Sequence, residues 1–263
     1  MNYKKFIKKS KNFLLTRICP KPSKEQIEAF VRSLRPVETD KPLMRLGGVR
    51  DGGYLIPDDV SNIKACFSPG VGRTSNFELA CANLGMEIYM ADASVNSPVI
   101  DDDRFNFLKK FIGAKNRRNF ITLENWLRST DIPEESDLLL QMDVEGYEYE
   151  ILKNINAEIL GRFRIIVIEF HRLTSIEYPY HFHYIKSAFD KLLKDHKCVH
   201  IHPNNCCEFR NIEGVEVPGA AEFTFLRKDR INNEGAVTSL PHPLDRDNVK
   251  AFKSINLPEF WYK

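Results

Sequence analysis

Residues 65–94, ACFSPGVGRTSNFELACANLGMEIYMADAS, decide the fold class. Ala65–Ser68 is a short apolar run that reads as a strand. Gly70 and Gly72 follow as a turn in which no Cβ keeps a ligand away from the backbone. Thr74 or Ser75 can cap the next helix, whose apolar positions Phe77, Leu79, Ala80, Cys81 and Leu84 stop at Gly85. Met86–Met90 is a second strand. Asp92 stands at its end, roughly 20 residues after the glycines, where a carboxylate can accept both hydroxyls of an adenosine ribose. Together these pieces form half of a nucleotide-binding α/β domain.

The turn also narrows the choice of nucleotide. It reads G-V-G-R-T-S, with neither the third glycine of a dinucleotide fingerprint nor the Gly-Lys-Ser/Thr of a phosphate-binding loop. A diphosphate is poorly served there, whereas a ligand with an adenosine and no phosphate fits. S-adenosylmethionine is the commonest such cofactor. The bland alternative is a tight strand-to-helix turn with an incidental acid further on.

Composition excludes several classes. The 263 residues, 43% hydrophobic and 28% charged, suffice for one α/β domain (residues 23–263) behind a basic N-terminal extension (residues 1–22). A formal net charge of +2 gives no field to draw in nucleic acid. Six cysteines occur without a C-x-x-C pair, so reduced thiols in a cytoplasmic protein are expected rather than a zinc ribbon or a disulfide framework. No apolar stretch approaches the roughly 18 to 20 residues of a membrane span. The first seventeen residues, MNYKKFIKKSKNFLLTR, are basic around Phe6, Ile7 and Phe13–Leu15. They read as a solvated arm or a helix packed on its own domain, with contact to an anionic membrane surface or a partner as the alternative.

Outward from the glycine turn the pattern alternates. Ser23 and Gln26 form a capping box for a helix carrying Ile27, Phe30, Val31 and Leu34. The stretch LMRLGGVRDGGYLIPDD then holds four glycines, read either as backbone wrapped close to something, with Asp51 and Tyr54 as its polar handles, or as a glycine-rich hairpin. Arg104–Gly113 and Phe120–Leu123 are read as strands, the second leading into a helix through Trp126 and Leu127. Asp137–Met142 delivers Asp143 and Glu145, Arg164–Ile168 delivers Glu169 and His171, and Cys198–Ile201 delivers His202 and Asn204. Ala221–Leu226 is the last strand, joined to the one before by a loop with Gly and Pro, which suggests an antiparallel hairpin edge. Continuous apolar strands alternating with helices argue a Rossmann-like, doubly wound, mostly parallel α/β sheet with an antiparallel edge strand.

In such a sheet ligands bind outside the carboxyl ends of the strands, where the polar residues accumulate. The cofactor side is assigned to Asp51, Tyr54, Gly70, Gly72, Ser75, Phe77, Glu78, Asp92, Ala93 and Asp143. The reacting side is assigned to His171, Glu169, Asp143, Glu145 and His202. His171 is the first choice for a general base, oriented by Glu169 or Asp143. Alternatively Asp143, Glu169, His171 and His202 hold a divalent metal. His196 and His242 are read as structural, and His181 and His183 as preceding a helix within reach of an acceptor.

RLGGVRDGGYLIPDD, SPGVGRTSNFE, ITLENWL, MDVEGYEYEIL, VIEFH and IHPNN occur in this order over Leu43–Asn205. Together they resemble the FkbM-type family of S-adenosylmethionine-dependent methyltransferases, most specifically through D-V-E-G-x-E-x-x-I-L at Asp143–Leu152. The resemblance implies a seven-stranded methyltransferase sheet and methyl transfer to oxygen, often on a carbohydrate or polyketide acceptor. D-G-G-Y and I-E-F-H are similar to the branch met among surface-polysaccharide genes. That favours a sugar hydroxyl of a capsule- or lipopolysaccharide-type glycan or its precursor. A nicotinamide-dependent oxidoreductase on the same sheet and a catalytically silent scaffold are the rival classes.

Overall fold

The computed structural model describes residues 20–72 and 74–263, so the expectations for the basic N-terminal segment fall almost wholly outside it. Seven strands form the central sheet: β1 (Ala65–Pro69), β2 (Glu87–Ala91), β3 (Phe105–Leu108), β4 (Leu138–Met142), β5 (Phe163–His171), β6 (His196–Pro203) and β7 (Ala220–Arg227). Their spatial order is β6-β7-β5-β4-β1-β2-β3. From β5 to β3 all neighbours are parallel, while β7 runs antiparallel to both β5 and β6. The antiparallel strand therefore sits one place inside the edge, and β6 is the edge. A helical crossover carries the chain from β5 to β6 and leaves a gap one strand wide, which β7 fills by returning through the hairpin Phe209–Ile212 and Val215–Pro218.

Strand alternation sorts the side chains onto two faces. On β5, Ile166, Ile168 and Phe170 join the larger core beneath α1 (Lys24–Ser33) and the long crossover helix Pro179–Asp195. There Phe30 meets Phe182 and Phe189 edge to face at 5.9 and 5.5 Å. Ile165 and Val167 join the second core with Tyr54, Ile56 and Phe77. Glu169 and His171 continue this second row, because β5 runs on to His171. The capping box of α1 is present, with Ser23 and Gln26 bonded reciprocally.

The four-glycine stretch is an antiparallel hairpin, Leu43–Gly47 with Gly53–Pro57, whose second strand is wholly buried. It also wraps closely. A Cβ on Gly47 would meet Phe77 backbone at 3.1 Å, and one on Gly52 would run into Thr74. Both sequence readings of this stretch thus describe one object, a hairpin clamped over the glycine turn. The strand expected over Arg104–Gly113 divides instead into β3 and a two-residue strand, Phe111–Ile112, that pairs with Phe120–Ile121. The tail after Asp229 is part of the core. Trp261 is fully buried and donates from Nε1 to Glu216 O at 2.8 Å.

Candidate active site

The glycine turn ends β1, and its two glycines have different physical reasons. Gly70 has φ +88°, and a Cβ there would fall 1.6 Å from the Asp143 carbonyl oxygen. It lets two strand ends touch. Gly72 has φ +54° with nothing within 4 Å of an added Cβ, so it borders open space. Asp51, Gly72, Thr74 and Asp143 line a cleft at this point, with Tyr54, Phe77 and Glu78 in its inner wall. Helix α2 (Asn76–Asn83) starts at Ser75, whose Oγ makes no capping bond and is buried without any hydrogen-bond partner. A buried hydroxyl with no partner is expensive, although Ser75 is not itself among the residues lining the cleft.

Under the turn runs a buried polar chain. The Ser68 hydroxyl lies within hydrogen-bond distance of Glu78 and of Gln141 Oε1 (2.8 Å), and Gln141 Nε2 donates to Tyr54 OH at 3.1 Å. Burial pushes the Glu78 carboxyl up from its ordinary value. Glu78 and Tyr54 therefore spend their polar atoms inward on the fold. Gln141 and Ser68 were not singled out from the sequence, although one glutamine inside DLLLQM is the available signal. Asp92 follows β2 and is buried, its Oδ1 accepting from Ser94 N and Ser94 Oγ, both at 2.7 Å. Neither Asp92 nor Ala93 lines the cleft at the glycine turn.

The second group surrounds His171. Its Nε2 lies 3.8 Å from Asp143 Oδ1, 3.6 Å from Glu145 Oε2 and 3.7 Å from Glu169 Oε1. Its Nδ1 is 2.9 Å from Glu148 Oε1. Burial alone would lower the imidazole pKa, but the Glu148 hydrogen bond and the surrounding carboxylates outweigh it and hold it at about 9. Burial, reinforced by the Glu169 carboxylate, pushes Asp143 up to about 8. Asp143 Oδ1 is buried without a hydrogen-bond partner among the described residues. Burial also raises Glu169, which accepts from Asn204 Nδ2 at 2.7 Å.

His202 does not join this group. It lies opposite Glu222 of β7, which in turn lies opposite Glu169 of β5. Two strand spacings, about 10 Å, separate it from β5. Its charged neighbour is Asp245, 3.6 Å from Nδ1. Strand β6 reaches the site through Asn204 instead. His181 and His183 lie inside the crossover helix rather than before it, and His196 is buried with Nε2 2.7 Å from Phe163 O. Asp143, Glu145 and His171 offer ligand atoms within 4.8 Å of one another, so the metal set drawn from the sequence loses His202 and Glu169 and gains Glu145.

Residues 81–194 match the family model described as "Methyltransferase FkbM domain". That match supports a methyltransferase. A search of curated proteins finds no significant match. Among solved structures, the chain is similar to a putative hemolysin from Streptococcus thermophilus, with 12% identity over 64% of this chain and 61% of that one, at a TM-score of 0.37. It is similar to a chain of a fibrillarin/Nop5p complex at 15% identity, 73% and 98% coverage and a TM-score of 0.40. Human N-acetylserotonin methyltransferase in complex with SAM follows at 13% identity, 64% and 49% coverage and a TM-score of 0.31. The chain thus spans less than two thirds of the length of the first and third of these structures. Among the described residues no helix is long and apolar enough to cross a membrane.

Proposed function

We propose that this chain methylates a hydroxyl oxygen on a sugar of a glycan or glycan precursor, with S-adenosylmethionine as donor. When bound, the cofactor supplies an electrophilic methyl group on a sulfonium. The open space over Gly72 and the orphaned Ser75 Oγ support a cofactor at the turn, and Asp92 at the end of β2 suits its ribose.

The observation that carries methyl transfer to oxygen is the ring of carboxylates around His171 beside this cleft. A sugar hydroxyl is a weak nucleophile and must lose its proton as it attacks. With a pKa near 9, His171 is an imidazolium at neutrality, which moves the base role to Asp143 at about 8. In this scheme Asp143 takes the hydroxyl proton while the His171 cation stabilises the charges around it and Glu148 holds the ring in place. The two groups titrate as a pair, so the rate rises with pH on an apparent pKa of the pair.

A second reading is favoured by the three convergent ligand atoms of Asp143, Glu145 and His171. These residues would hold a divalent cation that acidifies the acceptor hydroxyl. The test of the primary reading is S-adenosylhomocysteine formation by the purified chain with glycan acceptors, together with mass spectrometry of a methylated glycan that is lost on deleting the gene. Asp143→Asn should bind cofactor and turn over roughly 10² to 10⁴-fold more slowly. Full activity of that variant would refute the assignment of the base.

A further inference from the structure

We propose that the acceptor carries an anionic oxygen group, a phosphate or a carboxylate, held by Arg172 and Arg210. The position of the acceptor hydroxyl rests on the methyltransferase reading, whereas the anion site stands on its own residues. A cavity of about 420 Å³ is lined by His171, Glu145, Arg172, Arg210, Ser175 and Tyr178.

Arg172 directly follows β5 and takes φ +56°, a left-handed conformation that non-glycine residues seldom adopt. Such strain persists where the surroundings impose it and collects at ligand clamps. The guanidinium lies over the D-V-E-G turn, with Cζ 3.5 Å from where a Cβ on Gly146 would stand. Among the described residues Arg172 forms no ion pair within 4.0 Å. Arg210 is held from the next turn of chain by Glu177 at 2.9 Å, which fixes its place on the wall and leaves donors of its fork to spare.

The cavity lining brings Glu145 and His171 together with two guanidinium groups. Two planar forks suit the paired oxygens of a phosphate or carboxylate. Tyr178, 52% exposed, also lines the cavity and is available to a sugar.

Calorimetry on the full chain saturated with S-adenosylhomocysteine, titrated with glucose, glucose 6-phosphate and glucuronate, tests this. The anionic sugars should bind at least about tenfold more tightly than glucose. Arg172→Asn, which tolerates a left-handed backbone, and Arg210→Gln should each remove most of that preference and leave S-adenosylhomocysteine affinity unchanged. The phosphate and carboxylate arms identify which anion is preferred. No preference for the anionic sugars, undetectable binding of all three included, overturns the proposal, and so does a preference that survives in the double variant. A chain that selects anionic sugars but does not bind S-adenosylhomocysteine would lose the methyltransferase reading and keep this one.

Discussion

The Nδ1–H of His171 donates to Glu148 Oε1 at 2.9 Å, and Glu148 is a fully buried residue. The same oxygen accepts from Gly146 N at 2.9 Å, so the backbone of the D-V-E-G turn places the acid that orients the imidazole. Neither Glu169 nor Asp143, expected from the sequence for this role, bonds the ring at that distance; both stand on its Nε2 side.

Glu148→Gln should therefore lower the His171 pKa. The amide keeps the shape but loses the charge that offsets burial, and an opposite charge at this distance is worth roughly one to three units. NMR titration of the His171 ring in both proteins reads the change directly. An unchanged titration would place the source of the shift elsewhere.

The two glycines of the turn should respond differently to substitution. Gly70→Ala drives a methyl into the Asp143 carbonyl and should fail at folding, seen as loss of a cooperative melt. An added Cβ at Gly72 has no neighbour within 4 Å among the described residues and Asn tolerates the left-handed backbone, so Gly72→Asn should fold. Its side chain then occupies the space assigned to the cofactor, and S-adenosylhomocysteine affinity should fall by tenfold or more, about 1.4 kcal/mol. Wild-type affinity in a folded Gly72→Asn protein would move the cofactor away from this turn.

Asp92→Asn tests the ribose contact with less disturbance than alanine, because an amide oxygen can still accept the two bonds from Ser94. What disappears is the ionised acceptor, typically worth about 1.5 to 3 kcal/mol. Cofactor binding should weaken by about tenfold or more, and a 2′-deoxy analogue should lose less in the variant than in the wild type. Equal loss in both proteins would detach Asp92 from that hydroxyl.

Much of the fold was legible because its strands are continuous apolar runs ending on acids and its helices carry one apolar face. Glu169 and His171 could be placed on one strand face by alternation alone. What escaped the sequence is pairing between strands distant in the chain. Nothing local to Ala221–Leu226 says that it inserts between β5 and β6, and that insertion is what moves His202 away from His171. Glu148 was visible within D-V-E-G-x-E, but its contact depends on the left-handed conformations of Glu145 and Gly146. Those bend the turn so that an acid three residues on folds back beneath His171.

Chelation separates the two readings of the His171 group. If Asp143 acts as a base without metal, EDTA should leave the rate unchanged, and the pH–rate profile should rise along an apparent pKa near 8. A rate lost to EDTA and restored by Mg²⁺ or Mn²⁺ would instead assign Asp143, Glu145 and His171 as ligands. Glu145→Gln then discriminates further. Glu145 is exposed, and its loss should matter little to a metal-free site but weaken a bound cation.

Glu222 makes stability depend on pH. It is buried between Glu169 and His202 across the strands, accepts from Asn248 Nδ2 at 2.6 Å, and burial pushes its carboxyl up to about 8. A carboxyl raised in the folded state binds its proton there while the unfolded chain, near its ordinary 4.5, has released it. Its contribution is thus complete below about 4.5 and is lost as pH rises through about 8. Asp143 and His171, also raised, lose theirs in the same direction. The melting temperature of the wild type should fall from pH 5 to pH 9. Glu222→Gln keeps an oxygen for Asn248 and never ionises, so it should match the wild type near pH 4.5 and exceed it above pH 8, by on the order of a few kcal/mol at most. Parallel stability curves for the two proteins across this range would mean that Glu222 is already ionised in the native state, with Arg45 or His202 stabilising its charge.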